Sequence, residues 1–175
     1  KEISRHLPVM LECFKAIRQK FPRAKARLFA VDFIHDAFYQ PFIQNADVEM
    51  VRESGYNLRK ELCLCLTASG TATLENALCG VPMIVIYRMS WFSYTVARMI
   101  IQVPWISMPN ILAGKTVIPE LIQHEASPAR VTSEAISLLS DPGSLAKMQD
   151  ELLKLKDALG EPGAYERAAK IILSR

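Results

Sequence analysis

Apolar and polar positions fall into blocks whose periods predict the elements one by one. Ile3, Leu7, Met10, Leu11, Phe14 and Ile17 recur at helical spacing, so residues 4–20 read as an amphipathic helix ended by Phe21-Pro22. Residues 27–31 (RLFAV) read as a strand, 34–44 as helix begun anew near Pro41, 47–51 as a short strand and 56–60 as a helical turn. The apolar run 62–66 suits a buried parallel strand. Ser69-Gly70-Thr71 is a tight turn of small residues, 72–79 a good helix former, and Gly80 a left-handed cap with Pro82 preventing continuation. Residues 81–87 are a second apolar, β-branched strand. Beyond it, 91–101 is apolar apart from Arg98, and is either a core helix or one lying in a membrane interface. A strand is expected at 103–107, an irregular loop at 108–115, and a helix starting at Pro119 through Gln123. Ser127 caps a helix to Leu139. Asp141-Pro142 opens another, striped by Leu145, Met148, Leu152, Leu155 and Leu159 and closed by Gly160, and a last helix follows Gly163.

Strands and helices thus alternate every 10–20 residues, the pattern of an α/β, Rossmann-like parallel sheet flanked by helices. All 175 residues read as a single domain, with 142–175 a helical tail. The centre of the pattern is 67–88, a strand–turn–helix–strand unit with its small residues at the carboxyl end of the first strand, where open α/β sheets take ligands. Amides at the start of the following helix lack intrahelical partners and, with the helix dipole, favour an anion such as phosphate. Spacing alone leaves this open against an ordinary helix start. Glu75 would sit one turn into that helix, placed either to accept hydrogen bonds from ribose hydroxyls or simply as a first-turn acid.

Half of the residues are apolar, and the net charge of +3 is too small to argue for nucleic acid. No run approaches the 18–20 residues of a membrane span. Cys13, Cys63, Cys65 and Cys79 follow no disulfide or zinc framework; Cys63 and Cys65 alternate with leucines as small buried hydrophobes, which implies a reducing cytoplasm. Lys15, Arg18, Lys20, Arg23, Lys25 and Arg27 include no acid among them, and are either a patch for anionic lipid or a solvated face. No hydrolase elbow, P-loop or G-x-G-x-x-G is present, and His6, His35 and His124 lack metal-ligand spacing and read as surface or structural groups.

The run Ser69-Gly70-Thr71-Ala72-Thr73-Leu74-Glu75, then Gly80-Val81-Pro82-Met83, Tyr87-Arg88 and Met108-Pro109-Asn110-Ile111-Leu112-Ala113-Gly114, resembles the signature of lipid-A-disaccharide synthases. Val117-Ile118-Pro119-Glu120-Leu121-Ile122-Gln123 continues the match, in family order and spacing over 62–123. The resemblance implies the C-terminal, nucleotide-sugar-binding half of a two-domain GT-B glycosyltransferase. It also implies the family's inverting reaction: 2,3-diacylglucosamine passes from UDP to 2,3-diacylglucosamine 1-phosphate (lipid X), giving the disaccharide precursor of lipid A. On that basis Ser69, Gly70, Thr71 and Ala72 are assigned to the donor diphosphate and Glu75 to ribose, with Arg88, Asn110 and Lys115 as further phosphate or sugar contacts. No metal or other cofactor is implied. Lysine stands at 115 where family members often carry arginine, which keeps the charge and loses the bidentate fork.

The family's acceptor half, its catalytic base and its Gly-Ser-Arg-type loop are expected outside residues 1–175, so this chain alone is expected to be inactive. The cytoplasmic face of the inner membrane, contact with anionic lipid and self-association through the last helices are further expectations. Two alternatives stay open: the donor half of another GT-B UDP-sugar transferase or epimerase, and a non-enzymatic α/β interaction module.

Overall fold

The structure, a computed structural model, describes residues 2–52, 55–89, 104–159 and 163–173. The elements run α1 (Glu2–Lys20), β1 (Ala26–Phe29), a 3₁₀ turn (Asp36–Phe38), α2 (Gln40–Ile43), β2 (Val48–Val51), α3 (Asn57–Lys60), β3 (Cys65–Ala68), α4 (Thr71–Leu78) and β4 (Met83–Tyr87). After β4 come α5 (Met108–Ala113), β5 (Glu120–Ile122), α6 (Pro128–Leu139), α7 (Pro142–Ala158) and α8 (Ala164–Leu173). Every strand pairing is parallel: β1 with β2, and β3–β4–β5 in that order, with Leu66 opposite Ile84 and Ile86 opposite Leu121.

β4 is the structural axis. Met83, Ile84, Val85 and Ile86 are fully buried, as a parallel strand covered on both faces requires. α1 covers it with Val9, Cys13 and Ile17, α6 with Val131, Ala135 and Leu138, and α7 adds Met148, Leu152 and Leu155. Burial on this scale, at roughly 25 cal/mol per Å² of apolar surface, is what holds β3–α4–β4 rigid. Gly80, at φ +66°, ends α4 in the left-handed region, and a side chain there would meet Leu153 of α7 at 2.9 Å. That close approach locks α4 against α7.

Several boundaries depart from expectation. β3 begins three residues later than the apolar run and includes Thr67 and Ala68, so Cys63 lies before it and is exposed; Cys13 is the cysteine that is fully buried. Residues 34–44 divide into the 3₁₀ turn, capped by the His35 ring, and α2 with Pro41 in its first turn. The expected loop at 108–115 is α5, with Pro109 in the first turn and Gly114 as left-handed cap. The expected helix at Pro119 is instead β5, because Val85, Ile86 and Tyr87 offer it a free strand edge. No strand forms over the described residues 104–107. The segment 91–101, Gly160 and position 103 lie outside the described residues. Caps on α6 and α7 are as read: Ser127 accepts from the Arg130 amide at 3.3 Å, and Asp141 from Gly143 and Ser144 at 3.0 and 3.2 Å.

Instead of one continuous sheet, β1–β2 and β3–β4–β5 stand side by side. The facing edges of β1 and β3 line a cleft of about 1430 Å³, floored by apolar residues of α1. Arg59 of α3 spans it: its guanidinium lies 5.2 Å from the Phe29 ring centroid and pairs with Glu75 of α4 at 3.2 Å. Arg27 adds ion pairs to Glu49 and Glu61 at 3.1 and 2.6 Å, and Arg18 one to Asp47 at 2.6 Å. Two cations of the basic run are therefore spent on neighbouring acids.

Candidate functional site at the carboxyl ends of the central strands

The short strand β3 delivers the chain into Ser69-Gly70 at its carboxyl end, and α4 starts directly at Thr71. No side chain caps this helix: the N-cap position is Gly70, and Thr73 donates its hydroxyl to the Gly70 carbonyl at 2.7 Å rather than accepting from an amide. Among the described residues the amides of Gly70, Thr71 and Ala72 meet no protein acceptor. Gly70 and Thr71 are exposed, and 69–72 border the mouth of the cleft together with Glu75. Three N–H groups at the positive end of a helix dipole, open to solvent, can donate to a phosphoryl oxygen.

The turn is held from behind. The Ser69 hydroxyl donates to the Ile106 carbonyl at 2.8 Å, fixing the turn to the segment that leads into α5. Glu120 of β5 organises that segment, accepting from the amides of Ile106 and Ser107 at 2.8 and 3.1 Å, the Ser107 hydroxyl at 2.5 Å and the Asn110 amide at 2.7 Å. A carboxylate taking four hydrogen bonds makes a rigid bracket.

The candidate residues divide into three groups. Ser69, Gly70, Thr71, Ala72 and Glu75 come together on the cleft, with Glu75 already engaged by Arg59. Arg88, at the end of the next strand, borders a separate shallow depression of about 660 Å³ with Arg5, Gln123 and His124. Asn110 and Lys115 lie apart. Asn110 is fully buried, and its amide is spent locally: Oδ1 accepts from Val117 and Ile118 at 2.7 and 3.0 Å, and Nδ2 donates to the Ile118 carbonyl at 2.9 Å as well as to Glu120. Lys115 pairs with Glu151 of α7, whose pKa its hydrogen bond, with that of Lys154, holds down to about 2.

Five residues around the site had little or no local signal. Arg59, which also donates to Asn76 at 3.0 Å, is brought to α4 from 17 positions upstream. Cys65, hydrogen-bonded by Asn76 at 3.4 Å, has its thiol pushed up to about 11 by burial. Glu120 and Gln123 stood in a matched motif without a role. His6, read as surface or structural, is buried against the end of β4.

Known proteins agree with this architecture. A family model described as lipid-A-disaccharide synthetase matches residues 1–174. The lipid-A-disaccharide synthase of Syntrophus aciditrophicus is 40% identical over 99% of this chain and 46% of its own length; that of Geobacter metallireducens is 38% identical over 98% and 45%. The chain thus spans less than half the length of these curated relatives. A crystal structure from Listeria monocytogenes, of a protein assigned as a UDP-N-acetylglucosamine 2-epimerase, superposes with a TM-score of 0.53 at 15% identity, over 82% of this chain and 35% of the other. That likeness is one of fold, the Rossmann-like α/β arrangement expected of a GT-B domain. With its motifs in order and its length matched almost from end to end, the chain belongs to the lipid-A-disaccharide synthase family.

Proposed function

We propose that this chain is the donor-binding half of a glycosyltransferase that passes 2,3-diacylglucosamine from UDP to lipid X. The observation that carries the reading is the uncapped start of α4: the amides of Gly70, Thr71 and Ala72 at the carboxyl end of β3, opening on the cleft, in a chain of this family. In the reaction the acceptor hydroxyl loses a proton, its oxygen forms the new bond at the anomeric carbon, and UDP leaves with the bonding pair. The chain's task is to stabilise the charge growing on the departing diphosphate, through fixed amides that need no rearrangement as the bond breaks. Glu75, steered by Arg59, takes the ribose hydroxyls, and Arg88, in the neighbouring depression at the carboxyl end of the adjacent strand β4, is assigned a further phosphoryl contact at the far side of the diphosphate. Asn110 and Lys115 serve this site through structure, Asn110 by shaping the bracket behind Ser69 and Lys115 by tying α5 to α7. The base that removes the acceptor proton, and inversion at the anomeric carbon with it, are assigned to the part of the relatives that this chain does not span.

Calorimetric titration with UDP tests the reading. The chain is predicted to bind UDP, and Glu75→Ala to weaken binding by about 1.5–3 kcal/mol, the range for hydrogen bonds to a charged group. No heat of binding in a folded chain would contradict the donor-half assignment, and unchanged affinity in Glu75→Ala would remove Glu75 from the site. Disaccharide formation is predicted to be absent with this chain alone. We assign it to the cytoplasmic face of an anionic membrane, where salt-sensitive co-sedimentation with anionic vesicles is the check. Self-association is assigned to α8, whose Tyr165, Ile172 and Leu173 are 92, 72 and 84% exposed; light scattering showing a compact monomer would exclude it.

A further inference from the structure

The two residues just past β4 are gripped by two side chains, one from α1 and one from the end of β5. His6 of α1 is 3% exposed, and its Nε2 accepts from the Arg88 backbone N–H at 2.8 Å while its ring stacks on Tyr87 at 5.9 Å. Gln123, just past β5, pairs its amide with Met89 on both sides: Oε1 accepts from the Met89 N–H at 2.9 Å, and Nε2 donates to the Met89 carbonyl at 3.3 Å. Its own N–H donates to the Tyr87 carbonyl at 2.8 Å. To do this Gln123 adopts φ +56°, the one left-handed non-glycine residue among those described. That conformation is unfavourable for a residue with a Cβ and persists where surrounding contacts over-determine it. Neither side chain would be required to bury β4, whose interior is already covered by aliphatic residues.

We propose that His6 and Gln123 are positioning residues of the donor site, clasping the backbone at Arg88–Met89 so that the Arg88 guanidinium is presented to a phosphoryl group of a nucleoside diphosphate. This rests on the role given to Arg88 above. For the clasp to hold, His6 must accept at Nε2, which means a neutral ring. Burial lowers its pKa, as do the nearby guanidiniums of Arg5 and Arg88, while the Glu2 carbonyl and carboxylate oppose them. Those three, with Tyr87 stacked on the ring, are the titratable and charged groups that His6 faces from α1 and from the end of β4. A protonated ring has no lone pair for the Arg88 amide, so acid opens the clasp.

The test measures UDP affinity of the 175-residue chain by calorimetry, with circular dichroism and melting to confirm folding. Arg88→Ala comes first: if it leaves affinity unchanged, the role of Arg88 fails, and with it this proposal. If affinity falls, His6→Leu is expected to weaken UDP binding about five- to tenfold, and His6→Gln, whose Oε1 can accept the same N–H, to stay within about twofold of the parent. In an Arg88→Ala background His6→Leu is expected to have no further effect. An equal loss in that background, or none in the parent, overturns the proposal. Gln123→Gly, which keeps the left-handed turn without the clamp, is expected to weaken UDP binding as His6→Leu does; parent affinity there removes Gln123 from the clasp. As pH falls through the folded pKa of His6, which lies below the ordinary 6.5, affinity of the parent should fall more steeply than that of His6→Gln, a difference that cancels the titration of UDP itself. Parallel pH profiles would contradict the neutral-ring requirement.

Discussion

Asn110 illustrates how a residue chosen for its chemistry can serve the same site by another route. An amide in a family motif reads as a ligand contact, yet here each of its polar atoms is taken by the backbone of 117–118 or by Glu120. Asn110→Ala would leave the Ile118 amide unpaired in the interior and the half-buried Val117 amide without its acceptor, and is predicted to cost about 2–6 kcal/mol in chemical denaturation, at one to three for each of the two groups. A loss below about 1 kcal/mol would show the loop held by other means. His6 gives a pH dependence of stability. Its folded pKa lies below the ordinary 6.5, so between those values the unfolded chain binds more protons. Stability from this group is complete above pH 6.5 and declines as pH falls through that value toward the folded pKa, then levels. Melting of the parent and His6→Gln across pH 5–8 checks it: the gap between them should narrow or reverse in acid, and a constant gap would exclude His6 as the source.

At the scale of elements, the pattern of residues revealed what is local and failed where pairing is not. The starts of α6 and α7 were legible to the residue because Ser127-Pro128 and Asp141-Pro142 carry both cap and first-turn signal in adjacent positions. The β3–α4–β4 unit was legible because small residues, a helix former, Gly80 and a β-branched run follow in one stretch. β5 was not, since Pro119 is as good a helix start as a strand boundary, and only the open edge of β4 decides between them. Among the site residues, the Ser69–Ala72 turn was visible as local chemistry. Arg59, His6 and Gln123 were not visible, because each acts across a distance in sequence that no local pattern encodes. Gly80 joins both kinds of information. Gly80→Ala must hold a Cβ at φ +66° and displace Leu153, and is predicted to lower stability by about 1–3 kcal/mol by denaturant titration. Full stability would mean that α7 shifts freely, and that α4 is less firmly seated than its packing indicates.

For the molecule as a whole, a buried axis along β4 carries the candidate site at one end. The free amides of α4 and the clasped end of β4 lie at the carboxyl ends of adjacent parallel strands, while Glu120 of β5 braces the turn from behind. This end is proposed to grip the diphosphate of a uridine carrier through its backbone N–H groups. A crystal structure of the chain grown with UDP measures it directly. Diphosphate oxygens are expected about 2.7–3.2 Å from the amide nitrogens of Gly70, Thr71 and Ala72. UDP bound elsewhere on the surface, with no phosphoryl oxygen within hydrogen-bonding reach of those three nitrogens, would contradict it.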